Sequence, residues 1–234
     1  VTLALKNFMG LPSWKDTLPH FITGSVKEGG DQYINPSWRK RVVTYLHDVK
    51  ESNPYIPVKF VCALVKKFLW ESHRIIPFKD DIYEAMWYGN DTLWRTLMDL
   101  NRIVLYADKD GKIKDTQQRN FFCLIDGVVG GEGDGPLSPD PVDSKVFLAG
   151  FNPVTVDAVG ATLMGHDINK IPLIQKGFEK DNGRCRVFCG TPEDIQVVDG
   201  DSTYPLKEIP RHHNLRFEPH PGWKGHVELE LQNS

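Results

Sequence analysis

Asp126-Gly127-Val128-Val129-Gly130-Gly131-Glu132-Gly133-Asp134-Gly135-Pro136 constrains this chain more than any other stretch, with five glycines in the nine residues 127–135. Glycine at that density marks backbone conformations closed to other residues, or main chain that must pass very close to something else. The segment follows the apolar run Phe121-Phe122-Cys123-Leu124-Ile125, so it reads as a strand that ends in acid and glycine. Between Arg119 and Lys145 stand five acids (Asp126, Glu132, Asp134, Asp140 and Asp143) and no base. Such local negative charge binds a cation or is neutralised by lysine or arginine from elsewhere. No Gly-Lys-Ser/Thr follows, which disfavours a P-loop, and a proline-rich loop stands where the helix of a dinucleotide fingerprint would start.

The bulk composition suits a soluble globular protein: 234 residues, 40% of them hydrophobic and 25% charged, are expected to form a single domain over 1–234. Residues 200–234, rich in proline, histidine and charge, are expected to wrap the surface as a tail. The net charge of −3 leaves no electrostatic footprint for nucleic acid. No apolar run approaches the ~18 residues that a membrane-spanning helix needs, and no secretory pattern opens the chain, so a cytoplasmic protein is expected. The four cysteines are too scattered for a disulfide framework, and Cys62 and Cys123 read as core. The chain opens at Val1 in what reads as a strand, Thr2–Leu5, which predicts a missing upstream portion.

Along the chain, residues 13–36 read as an extended loop held as a flap, carrying Trp14 and His20. Asn35-Pro36 predicts a helix to about Lys50, with Arg39, Lys40 and Asp48 on a solvated face. A second helix from Pro57 is apolar around most of its circumference, which predicts burial on two sides or an oligomer contact. Residues 71–89 read as irregular, a third helix follows the Asn90-Asp91 cap, and Ile103–Ala107 reads as a strand. Val146–Gly150 reads as another strand, followed by a helix capped at Asn152-Pro153 and closed at Gly165. Asp157 falls on that helix's small-residue stripe, where a ligand role competes with a structural hydrogen bond to loop amides. Ile168–Lys180 predicts a helix and Ile195–Val198 a late strand. Cys185 and Cys189 supply two of the four ligands that a structural zinc needs, so no zinc is assigned to them.

The sequences Cys123–Pro136, Leu148–Gly160 and Leu163–Asp167 resemble the domain of unknown function 362 family. Thr2–Asn7 and Gly89–Arg95 are similar to other parts of the same family. The resemblance implies an α/β domain that in other proteins is sometimes attached to ferredoxin-type iron–sulfur modules. It therefore implies an iron–sulfur redox partner, whereas the absence of a C-x2-C-x2-C-x3-C run predicts no iron–sulfur cluster in this chain.

The fold expected is α/β, with a mixed or mostly parallel sheet flanked by helices and joined by long irregular loops. The candidate site gathers at strand ends, as open α/β sheets favour. Lys6, His20 and Glu132 are the candidate catalytic groups, and Asp126, Glu132 and Asp157 the candidate ligands of a divalent cation. Asn7, Asn90, Asp91, Arg95, Gly131, Gly133 and Gly135 are the candidate ligand-binding residues. Two functions stay open. One is an enzyme-like domain whose acidic glycine-rich cleft binds a divalent cation or a small anionic ligand; the other is a binding or scaffold protein whose glycine loop is structural.

Overall fold

The computed structural model describes residues 3–11, 19–75, 85–136, 138–179, 187–213 and 215–230, with backbone only at 51 and 70–75. The readings that touch Thr2, Trp14, residues 76–84, Lys180 and Cys185 lie outside the described residues. Contacts divide the chain into two compact units, one formed by Pro19–Thr92 and the other by Val1–Leu18 with Leu93–Ser234.

The unit Pro19–Thr92 is built on two helices, α1 (Trp38–Ser52) and α2 (Ile56–Ile75). The cap of α1 is Ser37, whose side chain accepts from the Lys40 amide, so the helix starts two residues later than Asn35-Pro36 predicts. Arg39 and Lys40 are buried, at 4% and 5% exposure, which corrects the solvated-face reading. Arg39 donates to the Leu69 carbonyl of α2 at 2.6 Å, and Lys40 to the Asn35 carbonyl at 3.1 Å. The described part of the expected flap, residues 19–36, is organised around the buried Asp31 carboxylate, which accepts from the amides of Ile22, Asp91 and Thr92. The Trp87 indole donates to the Asp31 carbonyl at 2.9 Å, tying the two ends of the unit together.

The second unit contains α3 (Leu93–Tyr106), β1 (Cys123–Gly127), β2 (Gly130–Asp134), β3 (Ser138–Val142) and β4 (Val146–Gly150). It continues with α4 (Pro153–Leu163), α5 (Pro172–Phe178), β5 (Gln196–Asp199), β6 (Ser202–Pro205) and α6 (Ile209–His212). Helices and strands are mixed, but no parallel sheet forms among the described residues. The strands make three antiparallel pairs, β1 with β4, β2 with β3 and β5 with β6. The physical reason is connection length: only a few residues separate β2 from β3 and β5 from β6, enough to return a strand antiparallel, whereas a parallel neighbour needs a crossover of a dozen or more residues.

Two predicted strands are something else. Ile103–Tyr106 is the last turn of α3, because the buried stripe Leu97, Met98, Asn101 and Leu105 carries the 3.6-residue period straight through it. Leu3–Leu5 is a turn leading into the 3-10 helix Asn7–Gly10. Its Ala4 and Leu5 amides are satisfied by the Asp157 side chain, at 2.7 and 3.2 Å, instead of by a neighbouring strand. Asn101 fixes the same turn from below, donating to the Leu5 carbonyl at 2.9 Å.

The predicted cap of α4 forms: the Asn152 side chain accepts from the Val154 and Thr155 amides, and Pro153 opens the helix. The single helix expected over 168–180 is instead a 3-10 turn, Ile168–Lys170, and then α5, because Pro172 can only begin a helix at that point. The core joins Leu5, Leu97, Leu105, Val154, Ala158 and Ile174 to Leu206, Ile209 and Val227 from the chain's last third. Cys62 and Cys123 are buried. Among the described residues no helix is long and apolar enough to cross a membrane.

Candidate functional site

The glycine-rich hairpin β2–β3 projects beyond the β1–β4 pair and roofs an open cavity of about 450 Å³. The floor is β1, β4 and the end of α4, through Ile125, Val146, Leu148, Gly160 and Leu163. The remaining wall is a segment of the chain's last third, Leu215–His220. This strap is fastened on both sides. The Leu215 and Phe217 amides donate to the Leu163 and Met164 carbonyls of α4's end, each at 2.9 Å. The Glu218 carbonyl accepts from the Gly133 amide at 3.0 Å, and its amide donates to Glu132 Oε2 at 2.7 Å.

Two glycines explain the composition of the hairpin. A Cβ on Gly130 would lie 2.5 Å from the Phe217 ring and 2.8 Å from Ser144 Oγ, so only hydrogen lets the strap approach. Gly133 turns with φ +68°, a conformation that side-chain-bearing residues rarely adopt.

The charged lining is acidic. Asp126, Glu132 and Glu218 line the cavity, and no lysine or arginine does among the described residues. Glu132 is half-buried and already holds the strap through one oxygen. Asp126 sits at the rim: it follows Ile125 in the strand, so its side chain points to the opposite face. Its Oδ1 accepts from the Val128 amide at 3.2 Å.

Two histidines complete the polar lining. His166 is buried, and its Nδ1 is sealed without a hydrogen-bond partner. Desolvation by burial brings its pKa down to about 4, so the ring is neutral at pH 7. His220 accepts from the Gly222 amide through Nδ1 at 3.0 Å, which leaves the proton of the neutral ring on Nε2. That atom stands 3.5 Å from Asp134 Oδ1. Burial lowers the His220 pKa and the Asp134 carboxylate opposes the shift.

Of the residues singled out from sequence, the structure brings Asp126, Glu132, Gly131, Gly133 and Gly135 to one cavity. Lys6, Asn7, Arg95 and Asp157 belong to the same unit but do not line it. Lys6 is partly buried, and desolvation lowers its pKa. Asn7 is exposed at the start of its 3-10 helix. The Arg95 guanidinium lies 4.4 Å from the Trp94 ring. Asp157 is fully buried, and both its oxygens accept from the Ala4 and Leu5 amides, the structural hydrogen bond of its two competing roles. His20, Asn90 and Asp91 lie in the other unit. There the Asn90 side chain donates to the His20 carbonyl at 2.9 Å and the Asp91 amide to Asp31.

Residues that the sequence did not mark for this cavity are Phe217, Glu218 and His220, together with His166, which entered only through a family motif. For the three in the tail, the one signal in the sequence is its richness in proline, histidine and charge, which reads as a surface wrap. Among the described residues no three of His, Cys, Asp and Glu are arranged to hold a metal ion by themselves.

Comparison with curated proteins and with solved structures gave no match. A protein-family profile described as domain of unknown function (DUF362) matches residues 1–162, the stretch that holds β1, the hairpin, β4 and nearly all of α4. The chain belongs to the DUF362 family.

Proposed function

We propose that the unit containing the hairpin is an enzyme-like binding domain whose cavity takes a positively charged ligand, the simplest being a divalent cation on Glu132. The observation that carries this reading is the lining: the half-buried Glu132 carboxylate, neutral imidazole at His166, and no lysine or arginine among the described lining residues, with Asp126 at the rim and Glu218 already paired to Lys224 at 2.6 Å. A small anionic ligand, the other version of this reading, would meet that acidic wall without a cation to receive it. Hard cations such as Mg2+ are commonly held by one or two carboxylates, with waters or substrate oxygens completing the shell. Glu132 fits this mode, because only Oε2 is committed to the Glu218 amide.

Thermal melts of tag-free protein with Mg2+, Mn2+ or Zn2+ test the proposal against Glu132→Gln. The amide of glutamine can still accept from Glu218, so the strap is kept while the charge is lost. A cation-dependent rise in melting temperature in the wild type, absent in Glu132→Gln, is the expected result. Equal responses in both proteins, or none in either, would remove Glu132 as a cation ligand.

One observation favours the scaffold reading instead. The Gly130–Phe217 approach gives the glycine a packing role that needs no ligand. Under that reading Glu132→Gln leaves all cation responses unchanged, and Glu132→Ala lowers the melting temperature sharply by freeing the strap.

A further inference from the structure

Helix α2 carries its largest apolar side chains on the outside. Ile56, Phe60, Leu64 and Phe68 follow one another at four-residue spacing along one ridge, with Val61 beside it and Tyr55 just before the helix. All six are exposed, from 50% at Leu64 to 79% at Ile56. On the opposite side of the helix Cys62 is buried, and Val58, Lys66 and Leu69 are half-buried. A surface helix ordinarily shows the reverse, with its polar residues outward.

The two helices pack together as a hairpin. Arg39, near the start of α1, reaches the Leu69 carbonyl late in α2, so they run antiparallel. The outer ridge of this pair is large for a surface left in water. At roughly 200 Å² for a large apolar side chain, the six residues expose on the order of 800 Å². Apolar patches on monomeric proteins rarely exceed a few hundred Å², whereas each partner in a standard interface contributes ~800 Å². An antiparallel helix pair is also half of a four-helix bundle, and a second pair completes it.

The layout of the ridge decides between occupants. Four side chains at equal spacing complement themselves when a copy is turned end over end: Ile56 then meets the partner's Phe68, and Phe60 the partner's Leu64. Among the described residues the exposed side of α2 holds one charge, Lys67. Reversal about the middle of the ridge sets that lysine ~15 Å along the helix axis from its own copy, so like charges do not meet. An anionic lipid surface suits the sequence in one respect, because residues 54–69 hold three lysines and no acid. Two of them, Lys59 and Lys66, are half-buried on the other side, so the exposed side lacks the rim of positive charge that draws a helix to lipid.

We infer that the outer ridge of α2 is a self-association surface that takes a second copy of this chain, two α1–α2 pairs forming an antiparallel four-helix arrangement. The surface belongs to the unit Pro19–Thr92 and is independent of the function proposed for the β2–β3 cavity.

Sedimentation equilibrium of the full chain across a concentration series tests it. Wild type should sediment at twice the chain mass and fall toward the monomer on dilution. Leu64→Glu should raise the dimer dissociation constant at least about a hundredfold, because the two-fold axis counts each buried, unpaired charge twice. Leu64 is half exposed in the single chain, so the variant should keep the wild-type helical circular dichroism. If it does not, Phe68→Lys, at a more exposed position, takes its place with the same expected outcome. Ile56→Glu and Phe68→Lys test the pairing: each alone should weaken the dimer about tenfold or more, and the two in one chain should recover most of the loss. A wild type that stays monomeric overturns the inference, and if it then binds vesicles of phosphatidylcholine and phosphatidylserine, the ridge belongs to lipid. A dimer that Leu64→Glu leaves intact overturns it too, as does a double variant with no recovery.

Discussion

Asp157 and His166 are both buried and respond to burial in opposite directions. Burial raises the Asp157 pKa from 3.8 to about 7, against the pull of two amides that favour the charged form. The folded protein then holds a proton that the unfolded chain has released, so this contribution to stability declines as pH rises from about 4 to 7, by at most about 1.4 kcal/mol per pH unit. Burial lowers the His166 pKa from 6.5 to about 4, so its contribution is present above 6.5 and is lost as pH falls toward 4. The two slopes offset each other over most of that interval, and a wild-type pH curve hides both. Single variants separate them. Relative to Asp157→Asn, wild type should lose stability as pH is raised from 4 to 7; relative to His166→Gln, it should lose stability as pH is lowered from 6.5. Melting curves across pH 4–8 check both signs, and parallel curves for wild type and either variant contradict the assignment for that residue.

The hairpin and the α4 cap show what a sequence encodes locally. Asn152-Pro153 was legible because a cap and a first-turn proline act within a few residues, and Asn152→Ala should cost about 1 kcal/mol in denaturant unfolding. The glycine run was legible as a close approach, although what approaches was not: Phe217 arrives from more than 80 residues downstream. Gly130→Ala should therefore destabilise by about 1–3 kcal/mol, and Phe217→Leu in the same chain should recover part of the loss. No recovery would mean that Phe217 is not the obstacle. The misread elements have a common cause. Ile103–Tyr106 is a β-branched, strand-like run, but the helical stripe of Leu97, Met98, Asn101 and Leu105 captures it, leaving Ile103 exposed. Leu3–Leu5 pairs with a carboxylate 152 or 153 residues away, a partner that no local pattern announces.

Across the whole molecule, the division into two compact units predicts two unfolding transitions. Calorimetry should resolve two transitions: Asp31→Ala should lower the one belonging to Pro19–Thr92, and Asp157→Asn should shift the other. A single transition displaced by both variants would contradict this division. The same division explains why only part of the candidate site converges. Lys6, His20 and Asp157 were grouped with the acidic hairpin by chemical type, but His20 went to the other unit and Asp157 to the support of the Lys6 turn. The acids and glycines of the hairpin converge because they share one short stretch of chain. The site therefore stands or falls on its carboxylates, and Mn2+ reports on them directly. In crystals soaked with Mn2+, anomalous density should appear in the hairpin cavity within bonding distance of Glu132, and should be missing in Glu132→Gln crystals. Density that persists in the variant, or that appears only outside the cavity, would contradict the cation reading.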